Sequence, residues 1–266
     1  SQRMQQHSIG ILDSGLGGLS VLREIRALLP NENLHYIADS AWCPYGPRSF
    51  EEIIQRTSFL SDHLIHHGAK AIVIACNSAT IAAIGSLRAT YPLPFVGMEP
   101  AVKPAAAHTK TGTIGVLATE ASLAGEKFHR LVSSHASGVR VITRPCPEFV
   151  ELVEAGILDG PKAQAAVKFH IDSLLAEGAD VLVLGCSHYP FLRPLIERAA
   201  GENIEVIDTG SPVSKRLKGI LETENLISAE NADSKVIIQT TGDLAHLKNL
   251  LPTLCPGLDA EVSAFE

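Results

Sequence analysis

Of the five cysteines in the chain, Cys76 and Cys186 share a setting. Each directly follows an apolar, strand-like run, Ala71 to Ala75 and Val181 to Gly185, and each precedes residues able to start a helix, Ser78 in one case and Tyr189-Pro190 in the other. Amides at a helix start hold negative charge and lower a thiol pKa, and the thiolate is the basic, nucleophilic form. One such cysteine is more often a small buried hydrophobe. Two at matching points of a repeated chain are different, because they put a thiol on each side of one site. The reaction that needs two similar bases on opposite faces of one carbon is racemisation. An amino-acid α-proton is a very weak acid, so such a site must also stabilise a carbanion-like transition state with amides and hydroxyls aimed at the substrate carboxylate.

The elements that would position these thiols are legible as an alternation. Short strand-like runs lie at Ile9–Leu12, Leu34–Ala38, Ala71–Ala75, Thr113–Leu117, Val139–Thr143, Val181–Leu184, Ile204–Ile207 and Lys235–Gln239. Amphipathic stretches such as Phe50–His67 and Pro161–Glu177 separate them. This βα pattern predicts an α/β fold of mostly parallel sheets flanked by helices, with chemistry in the loops that follow the strands.

The chain also matches itself. Gly68-Ala-Lys-Ala-Ile-Val-Ile-Ala-Cys76-Asn-Ser78 lines up with Gly178-Ala-Asp-Val-Leu-Val-Leu-Gly-Cys186-Ser-His188 at an offset of 110, and Ile9-Gly-Ile-Leu-Asp13 with Ile114-Gly-Val-Leu-Ala118 at 105. Two ordered matches argue for an internal duplication, hence two pseudo-symmetric domains with the active site in the cleft between them. Pro92, Pro94 and Pro100 mark a seam near 97. The material after Ile207 has no duplicate and is expected to return to the first domain. The expected domains are 1–97 with 208–266, and 98–207.

Bulk properties exclude several classes. The 22 basic and 29 acidic residues leave a net charge of −7, with no basic stripe interleaved with aromatics, which argues against a nucleic-acid partner. The longest apolar runs are strand-sized, too short for a membrane span. Ser1 to Ser8 is polar with no apolar core behind it, so it reads as a frayed end, not a secretory signal. An odd number of cysteines without paired spacing reads as cytosolic thiols.

Five segments carry a resemblance: Asp13-Ser-Gly-Leu-Gly-Gly-Leu-Ser-Val21, Pro44-Tyr-Gly46, Ala75-Cys-Asn-Ser-Ala-Thr80, Glu99-Pro-Ala-Val-Lys-Pro104 and Leu184-Gly-Cys-Ser-His-Tyr-Pro190. In type and order they resemble the motifs of the glutamate racemases, from about Ser8 to the end. The resemblance implies a cofactor-independent exchange of L- and D-glutamate, with Cys76 acting on D-glutamate and Cys186 on L-glutamate. It implies Asp13 beside the first thiol, His188 beside the second and Glu154 as a further acidic helper. His188 also stands on its own spacing, since an imidazole two residues from a thiol can hold or accept its proton. Asp13 can equally cap the helix-like stretch that begins at Gly15. Substrate binding would fall to Ser14, Pro44, Tyr45, Gly46, Asn77, Ser78, Thr119, Ser122 and Ser187. Ser78 and Ser187 stand where the family more commonly has threonine, and Gly125 and Phe128 where it has serine and tyrosine. The resemblance also implies a cytoplasmic role in supplying D-glutamate for peptidoglycan precursors, and an enzyme that is often a homodimer.

Two other readings remain open: an aspartate racemase or another two-cysteine relative, and a non-catalytic protein that closes on an amino acid but leaves the matched thiols unexplained. Other signals are weaker. Gly15-Leu-Gly-Gly-Leu-Ser20 with Asp39 after the next strand suggests a dinucleotide loop, but Ser20 replaces its third glycine. His63, His66 and His67 have helical spacing yet no carboxylate-rich partner motif, so a solvated helix face is expected and no metal. Cys43, Cys146 and Cys255 are expected to be inert because they lack the strand-then-helix setting.

Overall fold

The computed structural model describes residues 7–231 and 233–266. The expected frayed end lies outside the described residues except at its last two positions, and there Ser8 already opens a strand. The chain forms two compact units, one running up to Met98 and resuming at Gly210–Glu266, the other Glu99–Thr209.

The first unit is built on a parallel sheet in the order β10-β9-β2-β1-β3-β4. Its strands are β1 Ser8–Asp13, β2 Leu34–Ala38, β3 Ala69–Ile74, β4 Phe95–Gly97, β9 Val236–Thr240 and β10 Glu261–Ala264. Helices Leu19–Leu28, Phe50–His66, Asn77–Thr90, Gly210–Thr223 and Leu244–Leu254 accompany it. β1 and β2 are buried along their whole length, which explains why they read as continuous apolar runs and not as alternating ones. Ile72, Val73 and Ile74 are fully buried, and at about 1.5–3 kcal/mol for each such side chain they fix the strand end that carries Cys76. Phe50–His66 starts with a capping box between Ser49 and Glu52, so its first-turn amides are satisfied locally.

The second unit has a four-stranded parallel sheet in the order β6-β5-β7-β8, with β5 Thr113–Ala118, β6 Arg140–Pro145, β7 Val181–Leu184 and β8 Glu205–Asp208. This repeats the order β2-β1-β3-β4 of the first sheet, so the duplication read from sequence is also a duplication of topology. The units differ at one edge. β9 and β10 extend the first sheet beyond β2, whereas β6 is an edge strand and is largely accessible. Among the described residues no helix is long and apolar enough to cross a membrane.

Candidate active site

In the first unit, β1 delivers Asp13 to the carboxyl edge of the sheet, and the chain turns sharply into Leu19–Leu28. Asp13 makes that turn: its Oδ2 accepts from the amides of Gly15 at 3.2 Å and Gly18 at 2.9 Å. Tyr36 donates its hydroxyl to the Gly15 carbonyl at 2.7 Å. A Cβ on Gly18 would lie 2.6 Å from Asp13 Cβ and 2.7 Å from the Tyr36 hydroxyl, so the glycine is required by close approach. The loop that suggested a dinucleotide site is thus a carboxylate-pinned turn that presents Ser14, whose Oγ lies 3.8 Å from Cys76 Sγ.

Cys76 is the N-cap of Asn77–Thr90, and its sulfur accepts from the Ala79 amide at 3.5 Å. An amide aimed at sulfur from a helix N-terminus stabilises negative charge there. Thr80 locks the same turn, donating to the Cys76 carbonyl at 2.9 Å and accepting from the Met98 amide at 3.0 Å. Asn77 is buried beside the thiol, and Ser78 is partly exposed. In the Pro44–Gly46 loop, Pro44 is exposed and Gly46 half-buried, while Tyr45 is buried in the apolar cluster that contains Cys76.

The second thiol has different company. After β7 the chain takes a 3-10 turn, Tyr189–Leu192, where the sequence suggested an α-helix start; the helix begins only at Arg193. Instead of a helix cap, the Cys186 sulfur lies 3.8 Å from Nδ1 of His188, and Nε2 of that ring lies 2.7 Å from Glu154 Oε1. Burial works to lower the pKa of His188, but the hydrogen bonds to Cys186 and Glu154 outweigh it and push the value up to about 10. These partners favour the protonated ring. Glu154 is the last residue of the helix Pro147–Glu154, which places it under the ring from 34 residues away in sequence.

At the carboxyl end of β5, Thr119 caps the short helix Glu120–Ala124 by accepting from the Ser122 amide at 3.3 Å, and it donates to Ser122 Oγ at 2.9 Å. Ser187 is buried next to Cys186. Of the two departures in this region, nothing in the structure explains the first, and burial accounts for the second. Gly125 has room for a Cβ at ordinary contact distance, and Phe128 is buried in the apolar cluster around β5, where a phenol would need a partner.

The remaining cysteines need a correction. Cys146 does follow a strand and precede a helix, β6 and Pro147–Glu154. Its side chain is fully enclosed, the sulfur donates to the Arg144 carbonyl at 3.5 Å, and desolvation raises its pKa well above the ordinary thiol value, all of which disfavour the thiolate. Burial likewise raises Cys255 to about 11. Of the three histidines, His66 is exposed as expected, whereas His63 and His67 stack with ring centroids 4.1 Å apart and pack against buried His35. Among the described residues no group of three or more His, Cys, Asp or Glu side chains is arranged to hold a metal ion.

Sequence reasoning missed the surroundings of Tyr45. Its hydroxyl donates to Asp39, a fully buried carboxylate at the end of β2 that Arg56 also clamps.

Cys76 and Cys186 each sit on one copy of the duplicated βα unit. A profile of the Asp/Glu/Hydantoin racemase family matches residues 9–212. The chain belongs to this family. Among racemases of the family, it is 49% identical to the glutamate racemase of Ectopseudomonas mendocina over 98% of both chains. It is 46% identical to that of Herpetosiphon aurantiacus over 93% of this chain and 97% of the relative. Of solved structures, a Bacillus anthracis glutamate racemase isoform superposes with a TM-score of 0.85 at 31% identity, covering 97% of each chain. The Escherichia coli glutamate racemase, solved with L-glutamate and the activator UDP-MurNAc-ala, gives 0.86 at 29% identity over 97% of this chain and 98% of the other. An aspartate racemase homologue from Pyrococcus horikoshii shares the fold alone, at 15% identity and a TM-score of 0.55 over 82% of this chain and 100% of that one.

Proposed function

We infer that this racemase interconverts L- and D-glutamate by passing the α-proton between two thiols. The observation that carries this is near-full-length identity of 46–49% to glutamate racemases, in a chain whose two duplicated strand ends each present a buried cysteine beside polar helpers. Cys186 acts on L-glutamate. When its sulfur takes up or carries charge, the imidazolium of His188 faces it and Glu154 holds the ring in that orientation. Cys76 acts on D-glutamate, with the Ala79 amide and the Ser14 hydroxyl at its sulfur. Asp13 serves the first thiol by fixing the turn that carries Ser14. Asn77, Ser78, Thr119, Ser122, Ser187 and the Pro44–Gly46 loop supply neutral donors to the substrate's carboxylates. Donors of this kind leave the ground state less tightly bound than an arginine clamp would.

The reaction is complete with these residues and needs no cofactor. The product serves peptidoglycan precursor synthesis in the cytoplasm, and the enzyme acts as a homodimer. These three readings follow the family resemblance. Polarimetry tests the activity: with no added cofactor, the rotation of L-glutamate should decay to zero in the presence of the protein, and that of L-aspartate should persist. Decay with aspartate alone would move the substrate, and decay with neither would remove the enzyme reading.

A further inference from the structure

We propose that Asp39 is a positioning residue for substrate binding: its carboxylate, clamped by Arg56 and Thr241, fixes the Tyr45 phenol and through it the backbone of Pro44–Gly46. This rests on the reading above that the loop takes substrate.

A carboxylate has about four acceptor positions, and at Asp39 all four are used. Oδ2 receives Tyr45 Oη and, at 2.8 Å, Arg56 Nε. Oδ1 receives Arg56 Nη2 at 2.9 Å and Thr241 Oγ1 at 2.8 Å. The two-pronged arginine contact has the geometry that fixes orientation as well as charge. Arg56 in turn lies 4.9 Å from the Trp42 ring centre and Arg48 4.5 Å from it, so the loop from Trp42 to Arg48 is folded onto the clamp. Arg48 closes the loop by donating Nε to the Trp42 carbonyl at 2.9 Å.

The phenol is committed. Burial, then the neighbouring Asp39 charge, push its pKa far above the ordinary tyrosine value, so it stays a donor, and its hydrogen bond goes to Asp39. What the loop offers a ligand is therefore its backbone, with Tyr45 as the anchor underneath.

Thr241 shows what the unduplicated C-terminal segment adds. While donating to Asp39, its hydroxyl accepts from the Ala41 amide at 3.1 Å, and its own amide donates to the Ala38 carbonyl at 3.0 Å. Next to it, a Cβ on Gly242 would come within 2.7 Å of Ser40 Cβ, so the two loops are in direct contact. The extra strand β9 makes the end of β2 an interior position, which its counterpart β6 is not.

The test is steady-state kinetics of wild type, Tyr45→Phe, Thr241→Val and the double variant, with Asp39→Asn as the severe case and melting temperature as the folding control. Each conservative single variant should raise KM for L-glutamate about tenfold, the lower end of the effect of one hydrogen bond to a charged group, with kcat within about twofold. Asp39→Asn should raise it more. Because Tyr45 and Thr241 act through one carboxylate, the double variant should be no worse than the poorer single. A wild-type KM in Thr241→Val, multiplying effects in the double variant, or an equal fall in kcat would overturn the proposal. No turnover of glutamate by the wild type would instead remove the functional reading, and the proposal with it.

Discussion

Glu154 Oε1 lies 2.7 Å from Nε2 of His188, on the side of the ring away from the Cys186 sulfur. The arrangement has the order carboxylate, imidazole, thiol, and the sulfur and the carboxylate together favour the charged ring. Replacing Glu154 by Gln removes the carboxylate's charge. The pH profile of kcat/KM for L-glutamate, with an alkaline limb near pH 10 set by His188, should then lose that limb at lower pH by about one unit or more, and kcat should fall roughly tenfold. An unchanged profile would deny Glu154 its role.

The same ring makes a stability prediction. Its folded pKa of about 10 lies above the ordinary 6.5, so the stabilisation is complete below pH 6.5 and is lost as pH rises through about 10. Urea midpoints should fall between pH 7 and pH 10 in the wild type, and much less in Glu154→Gln.

His35 works in the opposite direction. Burial first, and then neighbouring His63 and His67, take it down to about 4 despite a hydrogen bond to Gln239 at 2.6 Å. The unfolded chain takes up a proton that the folded ring refuses, so stability is lost as pH falls from 6.5 toward 4. Between pH 7 and 5 the loss from this ring alone is roughly 2 kcal/mol. Chemical denaturation of His35→Gln at both values should show a smaller acid loss than the wild type.

Gly18→Ala probes the turn under Ser14. The new Cβ collides with Asp13 and with the Tyr36 hydroxyl, neither of which can retreat without breaking its hydrogen bond. A stability loss of roughly 1–3 kcal/mol is expected by denaturation, with a larger fractional loss of activity because the turn presents the hydroxyl at Cys76.

The thiols themselves differ from the other cysteines. Cys76→Ala and Cys186→Ala should each reduce racemisation by roughly a thousandfold or more, whereas Cys43→Ala should keep nearly full activity. Polarimetric rates of the three variants decide this.

What the sequence disclosed and what it concealed follow from the range of the interactions. Buried parallel strands such as β1, β3 and β7 advertise themselves as continuous apolar runs, and the duplicated cysteine motifs are local strings. The three-residue β4 sits among prolines and read as a seam. β10 is polar and mostly exposed, and pairing with β9 is its chief mark as a strand. The contacts of Asp39 were hidden because its partners stand 6, 17 and 202 residues away. Cys146 was misread because strand β6 runs on to Pro145, so its local setting does match that of Cys76 and Cys186. What separates it is the degree of enclosure, 0% exposed against 8% and 7%.

The most direct measurement follows L-glutamate in D₂O by proton NMR during the first few per cent of conversion, with the two enantiomers separated before the spectra are read. With two thiols, one removes the proton and the other delivers deuterium from the opposite face. The D-glutamate formed should be α-deuterated while the remaining L-glutamate keeps its proton. Deuterium entering both enantiomers at similar rates would mean that one base serves both faces, and would contradict the two-thiol account.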